Sequence, residues 1–352
     1  MDKESFNQRL RRILNIHLDP LHGSVYWLER QEVLGLDVLD SIHTEEDLAL
    51  LGPMPSEDLC HRKIQDFVPM QYLRQKRHLM IGETGGRTGQ PRVTAYFEDE
   101  FEEIFVNNFV KLTELIGVGQ TQGWLWVGPS GPHLIGKAAH NIARALTHID
   151  PFCVDFDPRW FRKLAEGSVP RKRYLEHVLE QSMQHIEIQV VDALFTTPTI
   201  ISLLGNAMIE VDRQKIKAIY LGGMTIENNV LKIMKQQFKN TVILAGFGNS
   251  LCGVCDADID LRYHEGHIDY KVPSNRLHIK LINDMSGEPD QHALNQCTNP
   301  GERGRLVFHR LDESMFLPNV CENDTALVNR DGYITDPRPL MNRGIKIEAG
   351  IY

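Results

Sequence analysis

The stretch Gly82-Glu83-Thr84-Gly85-Gly86-Arg87-Thr88-Gly89-Gln90-Pro91 lies between the apolar run Leu79-Met80-Ile81 and the alternating run Arg92-Val93-Thr94-Ala95-Tyr96-Phe97. Gly85, Gly86 and Gly89 let the backbone take angles closed to other residues and bring several N–H groups together. A nest of that kind binds an oxyanion. Thr84 and Thr88 add hydroxyl donors without bulk, and Arg87 adds charge suited to phosphate. The spacing matches neither the GxxxxGK[ST] loop nor the GxGxxG fingerprint. A hairpin turn between two strands carries the same residue types, so the stretch alone leaves both readings open.

Outward from this loop the pattern alternates. Residues 99–117 read as a long amphipathic helix with Phe101, Ile104, Phe105, Phe109 and Leu112 on one side. Strands are expected at 124–127, 152–156, 190–195, 217–221 and 241–245, with helices at 134–147, 158–185 (two), 199–210 and 226–238. This series predicts an α/β fold, mostly parallel sheet flanked by helices. From 259 onward short alternating strands take over and predict a β-rich C-terminal subdomain. Toward the N-terminus, Phe6, Leu10, Ile13 and Leu14 have helical spacing. Residues 41–62 read as a Thr44-capped helix, a Gly52-Pro53 break and a helix opened by Ser56. The expected organisation is a helical lead-in over 1–75, a nucleotide-binding α/β part over 76–258 and the β-rich part over 259–352.

The chain has 352 residues, 42% hydrophobic and 24% charged, as in an ordinary globular protein. A net charge of -9 argues against broad contact with nucleic acid or an anionic membrane. No apolar run approaches the ~20 residues of a membrane span. The start, Met1-Asp2-Lys3-Glu4-Ser5, opens a charged amphipathic helix, and the six scattered cysteines read as reduced thiols, so a cytoplasmic location is expected.

Further candidates follow from local chemistry. The strand at 217–221 runs into Gly222-Gly223, where a flat base can approach the backbone past a strand's carboxyl end; a plain strand-to-helix turn reads the same way. Cys252, Cys255, His264 and His267 have CxxC and HxxH spacing that suits zinc, although strand alternation would turn the two histidines to opposite faces. His133, after Gly128-Pro129-Ser130-Gly131-Pro132 and before a helix, faces a ligand or serves as a cap. No Gly-x-Ser-x-Gly surrounds Ser130 or Ser250, so nothing signals a hydrolase.

Thr84 to Pro91 resembles the phosphate loop of the adenylate-forming ligases, roughly Ser-Ser-Gly-Thr-Thr-Gly-Lys-Pro, with Gly85, Arg87 and Gln90 as departures. The chain is most similar to phenylacetate–CoA ligases, also through Ile42-His43-Thr44-Glu45-Glu46-Asp47-Leu48, and to the short acyl-protein synthetases of the bioluminescence fatty-acid reductase system. The resemblance covers roughly residues 40–350 and implies the large N-terminal part of that architecture, without the small domain that carries a catalytic lysine.

It further implies that Thr84, Gly85, Gly86, Arg87, Thr88 and Gly89 hold the phosphates of ATP. Gly222 and Gly223 would face adenine. Phe247, in Ala245-Gly246-Phe247-Gly248-Asn249-Ser250, would stack on it beside Gly248, and Ser250 would approach the α-phosphate. Asp324, in Glu322-Asn323-Asp324-Thr325-Ala326, matches the ribose-binding aspartate, since a carboxylate offers two acceptors to a diol. Arg343 lies near a ribose- or phosphate-facing arginine. His133 falls where ligases line the acyl pocket. Where the family places a glutamate for Mg²⁺, this sequence has Leu251, which offers no oxygen to a hard cation. The implied activity is ATP-dependent formation of an acyl-AMP from an aryl or acyl carboxylate. Transfer would follow to CoA, to the phosphopantetheine of a carrier protein or to a protein cysteine. The alternative is a degenerate homologue acting as scaffold or chaperone for an acyl carrier protein or another biosynthetic enzyme.

Overall fold

The computed structural model describes residues 4–86, 89–118, 121–223, 226–257, 259–263, 266–272, 276–285, 289–299, 301–329 and 331–340. Their strands are β1 (Leu79–Glu83), β2 (Val93–Phe97), β3 (Trp124–Gly128), β4 (Phe152–Asp155), β5 (Ala193–Thr196), β6 (Ala218–Leu221) and β7 (Val242–Asn249). The series ends with β8 (Gly253–Asp256), β9 (Asp269–Tyr270), β10 (Leu277–Ile282), β11 (Gly304–Leu311), β12 (Phe316–Val328) and β13 (Ile334–Pro339). The chain divides into two compact units. The first takes Met1–Gly82, Gln90–Phe101 and Val272–Lys346; the second takes Glu83–Gly89, Glu102–Lys271 and Ile347–Tyr352.

The second unit holds a six-stranded sheet of order β4-β3-β5-β6-β7-β8, in which β3 to β7 and β4 are parallel and β8 pairs antiparallel with β7. Every residue of β3, β5 and β6 is buried, as expected of strands covered on both faces. The crossover helices begin at readable signals. Asp157, Ser168 and Thr197 each accept a backbone N–H at the start of a helix, with proline at one of the next two positions. Helix Leu134–Thr147 turns Leu134, Ala138, Ala139, Ile142 and Ala143 inward, a narrow small-residue face suited to close packing on a sheet. The sequence passes from β3 to β4 on one side and returns past β3 to β5, so the direction of winding reverses there. Open α/β sheets bind ligands outside the carboxyl ends of strands at such a reversal.

Two expected helices take other forms. Residues 99–117 carry α-turns at Glu98–Phe101 and Asn108–Ile116 with π-turns over Glu102–Asn107 between them. Phe101, Phe105 and Phe109 recur every four residues, a spacing that drifts around a 3.6-residue helix, and wider turns correct the drift. All three are buried. The expected helix 199–210 stops at Ala207, because Met208 is extended, and a separate helix runs over Glu210–Lys215.

In the first unit β10, β11, β12 and β13 pair antiparallel in sequence order. Helix Phe6–His17 starts at a reciprocal Ser5–Gln8 cap and buries Leu10, Ile13, Leu14 and His17. Thr44 does not cap a helix. It donates its N–H and hydroxyl to the carboxylate of Asp47 at 2.8 and 3.0 Å, and a 3₁₀ segment runs over Glu46–Leu51. The core also holds charge. Arg276 Nε meets Asp312 Oδ1 at 2.7 Å and its Nη2 meets Glu100 Oε1 at 3.2 Å. Arg310, fully buried, donates to Thr94 Oγ1 at 2.8 Å and stacks over Tyr96. Removing one member of such a cluster leaves an uncompensated buried charge.

Candidate functional site at the loop after the first strand

Within the second unit the backbone after β1 is held from several sides. Glu83 N–H donates to the carbonyl of Pro132, just past the carboxyl end of β3, at 2.8 Å. Ser250 Oγ, past the end of β7, donates to the Glu83 carbonyl at 2.9 Å. From the segment past β4, Arg159 pairs through Nη1 with Glu83 Oε2 at 2.9 Å and donates from Nη2 to the Thr84 carbonyl at 2.7 Å. Arg162 Nη2 donates to the Gly85 carbonyl at 2.7 Å. Gly86 sits at φ 63°, the left-handed region that glycine occupies without strain. The loop thus lies at the carboxyl ends of the parallel strands, where the winding rule places ligands.

The expected residues fall as follows. Thr84, Gly85, Gly86 and Gly89 belong to this loop, and Ser250 is brought to its base. His133 precedes helix Leu134–Thr147 and makes no side-chain cap bond. Burial first, and then the nearby Arg159, hold its imidazole below the usual pKa, so it is neutral at neutral pH. Beside it, Ser130 donates from N–H and Oγ to the two oxygens of Asp155, each at 2.9 Å. Gly222 is buried and Gly223 exposed, at φ 79°, directly after β6. Phe247 is half-buried on β7 with the ring of Tyr270 at 5.7 Å. Gly248 follows it in the β7–β8 hairpin. Asp324 lies on β12 in the first unit, opposite Pro339 in the pairing with β13. Arg87, Thr88, His264 and Arg343 lie outside the described residues. Arg159 and Arg162 were not anticipated. The available signal was the Asp157-Pro158-Arg159 helix start after a strand, with a second arginine three residues on.

Leu251 is fully buried in the β7–β8 turn, where Asn249 Oδ1 accepts the N–H groups of Leu251 and Cys252 at 2.8 and 3.1 Å. An apolar anchor at this position does not fit the Mg²⁺ that the resemblance implies. The thiols of Cys252 and Cys255 are both buried, and burial raises the pKa of Cys255 well above its usual value, which favours the thiol over the metal-binding thiolate. His267 is exposed.

Among the described residues, the only group of three with metal-ligand spacing is in the first unit: Glu45, His278 and His309. Glu45 Oε1 is 2.9 Å from His278 Nδ1 and 3.8 Å from His309 Nε2. His309 Nδ1, however, accepts the N–H of Asn319 at 2.9 Å. That bond puts the proton of the neutral imidazole on Nε2, the atom a metal would need. The group reads as a carboxylate facing two imidazoles. No described helix is long and apolar enough to cross a membrane.

No family model matches the sequence, and no curated protein is significantly similar to it. Solved structures are similar in fold. A 2-hydroxyisobutyryl-CoA ligase in complex with 2-HIB-AMP and CoA, in the thioesterification state, is 14% identical with a TM-score of 0.64, over 95% of this chain and 66% of that one. The same ligase in its postadenylation state with 2-HIB-AMP gives a TM-score of 0.62 at 14% identity over the same shares. The chain therefore spans just under two thirds of that protein's length. The parallel sheet with its flanking helices and the antiparallel strands agree with this likeness: the chain has the fold of the adenylate-forming ligases.

Proposed function

We propose that the protein binds an adenine nucleotide and activates an acyl or aryl carboxylate as its acyl-AMP for transfer to a thiol. The observation that carries this reading is the glycine-rich loop held at the carboxyl ends of β3, β4 and β7 in a ligase fold. Thr84, Gly85, Gly86 and Gly89 meet the phosphates. Gly222, Gly223 and Phe247 take the base, and Ser250 anchors the loop beside the reacting phosphate. Catalysis rests on setting the carboxylate in line with the α-phosphate and neutralising the charge that develops there. Neutral His133 suits a site that admits a carboxylate without committing a proton to it. CoA and carrier-protein phosphopantetheine are the acceptor thiols proposed.

Leu251 favours a second reading, a homologue that keeps the fold as a scaffold for an acyl carrier protein or a carrier-modifying enzyme. Pyrophosphate release assayed with ATP across a panel of aryl and acyl acids separates the two. Release with at least one acid is expected. Silence across the whole panel would overturn the ligase reading and leave the scaffold.

A further inference from the structure

We propose that Arg159 and Arg162 supply the positive charge for the nucleotide's β- and γ-phosphates, and for pyrophosphate, so that this binding needs no divalent cation. The inference rests on the nucleotide reading above and deepens it.

The resemblance implies two sources of positive charge, a lysine in the loop and a Mg²⁺ held by a glutamate after Ser250. This chain has Gln90 at the first position and Leu251, fully buried, at the second. A triphosphate or pyrophosphate still has to be neutralised on leaving water. Besides Arg87 of the loop sequence itself, the helix Pro158–Lys163 brings two further guanidinium groups to the loop. Their side chains are three residues apart and so project from one face. Each donates to a loop carbonyl, Arg159 to Thr84 and Arg162 to Gly85, which fixes both cations against the glycines. A guanidinium has five donors in a planar fork that matches phosphate oxygens.

Arg159 uses Nη1 on Glu83 and Nη2 on Thr84, while its Nε makes no hydrogen bond among the described residues. That Nε is itself buried, while the arginine side chain as a whole is 27% exposed. Burial is the main cause of the depressed pKa of His133; Arg159 and Arg162 also lower it while Asp157 and Glu83 raise it, so all four charged groups lie close to this point. Asp157 is committed to capping the helix, and Glu83 is the carboxylate that an arriving phosphate displaces from Arg159.

The test is calorimetric titration of AMP and of sodium pyrophosphate into the full chain, in EDTA and again in Mg²⁺. Pyrophosphate should bind in EDTA. Arg159→Gln and Arg162→Gln should each weaken it by about tenfold or more, as for loss of a charge-assisted contact. AMP affinity should be unchanged in both, because AMP lacks the β- and γ-phosphates. Arg159→Lys and Arg162→Lys keep the charge and should recover part of the loss, which a purely structural role would not predict. Pyrophosphate binding that requires Mg²⁺, or that survives both glutamine changes, overturns the inference. AMP binding without any pyrophosphate binding strikes the arginine assignment alone; failure to bind either strikes the nucleotide reading as well.

Discussion

Two side chains in the first unit make separable predictions. Asp324 keeps the ribose role that the resemblance gives it as a proposal. Replacing it by alanine removes a charge-assisted acceptor and should cost about 1.5–3 kcal/mol in AMP binding. That is roughly ten- to a hundredfold in Kd. Asp324→Asn should cost less, because its amide oxygen still accepts from one hydroxyl. Titrating AMP against both variants checks this, and an unchanged Kd in Asp324→Ala removes the assignment. His17 concerns stability instead. Its Nε2 donates to the Asp312 carbonyl at 2.9 Å and its Nδ1 accepts from Ser24 Oγ at 3.2 Å, so the buried ring is neutral. Burial pushes its pKa down to about 4. The unfolded chain takes up that proton near pH 6.5 and the folded chain only near pH 4. The stability tied to this histidine is therefore complete above pH 6.5 and lost as pH falls toward 4, by about 3 kcal/mol. Urea denaturation at pH 7.5, 5.5 and 4.5 should show the parent's advantage over His17→Gln shrinking at each step. A constant gap would show that the ring's proton is not linked to folding.

At the scale of elements, the β7–β8 hairpin joins packing to the site. A β-carbon on Gly248 would lie 1.9 Å from the Gly253 carbonyl oxygen, and backbone cannot rotate away as a side chain can. Gly248→Ala should cost about 1–3 kcal/mol, toward the upper end, and lower the urea midpoint without any nucleotide present. Unchanged stability with lost AMP binding would mean that the glycine serves the ligand and not the hairpin. Much of this element series was legible. Helix Leu134–Thr147 has the limits expected from its periodicity, and β3, β5 and β6 follow from short apolar runs between turn signals. The π-turns over Glu102–Asn107 were not read, although the four-residue spacing of Phe101, Phe105 and Phe109 carried their signal. Arg159 and Arg162 escaped for another reason. In a solvated helix an arginine is the expected surface residue, and its partners Thr84 and Gly85 are about 75 residues away in sequence. The loop was readable as glycine-rich, but which side chains hold it in place is decided by tertiary contact.

At the scale of the whole molecule, the likeness to a ligase covers nearly the full chain while sequence identity is 14%. The fold survives such divergence because strand burial and helix starts tolerate many substitutions. Gln90 in the loop and Leu251 in the β7–β8 turn are positions where the chain departs from the charged residues that the resemblance implies. The division into units has a consequence for how the protein is made. The first unit is assembled from residues up to 101 and from 272 onward, with almost all of the second unit between them. During synthesis the second unit can fold as soon as residue 271 has left the ribosome, since its parallel strands and crossover helices are then complete. Helix Phe6–His17, with Leu10, Ile13 and Leu14, packs against β11 and β12 and must wait for strands made almost 300 residues later. The apolar face of this helix thus stays uncovered through the synthesis of the whole second unit, and a holding chaperone would find a client segment there.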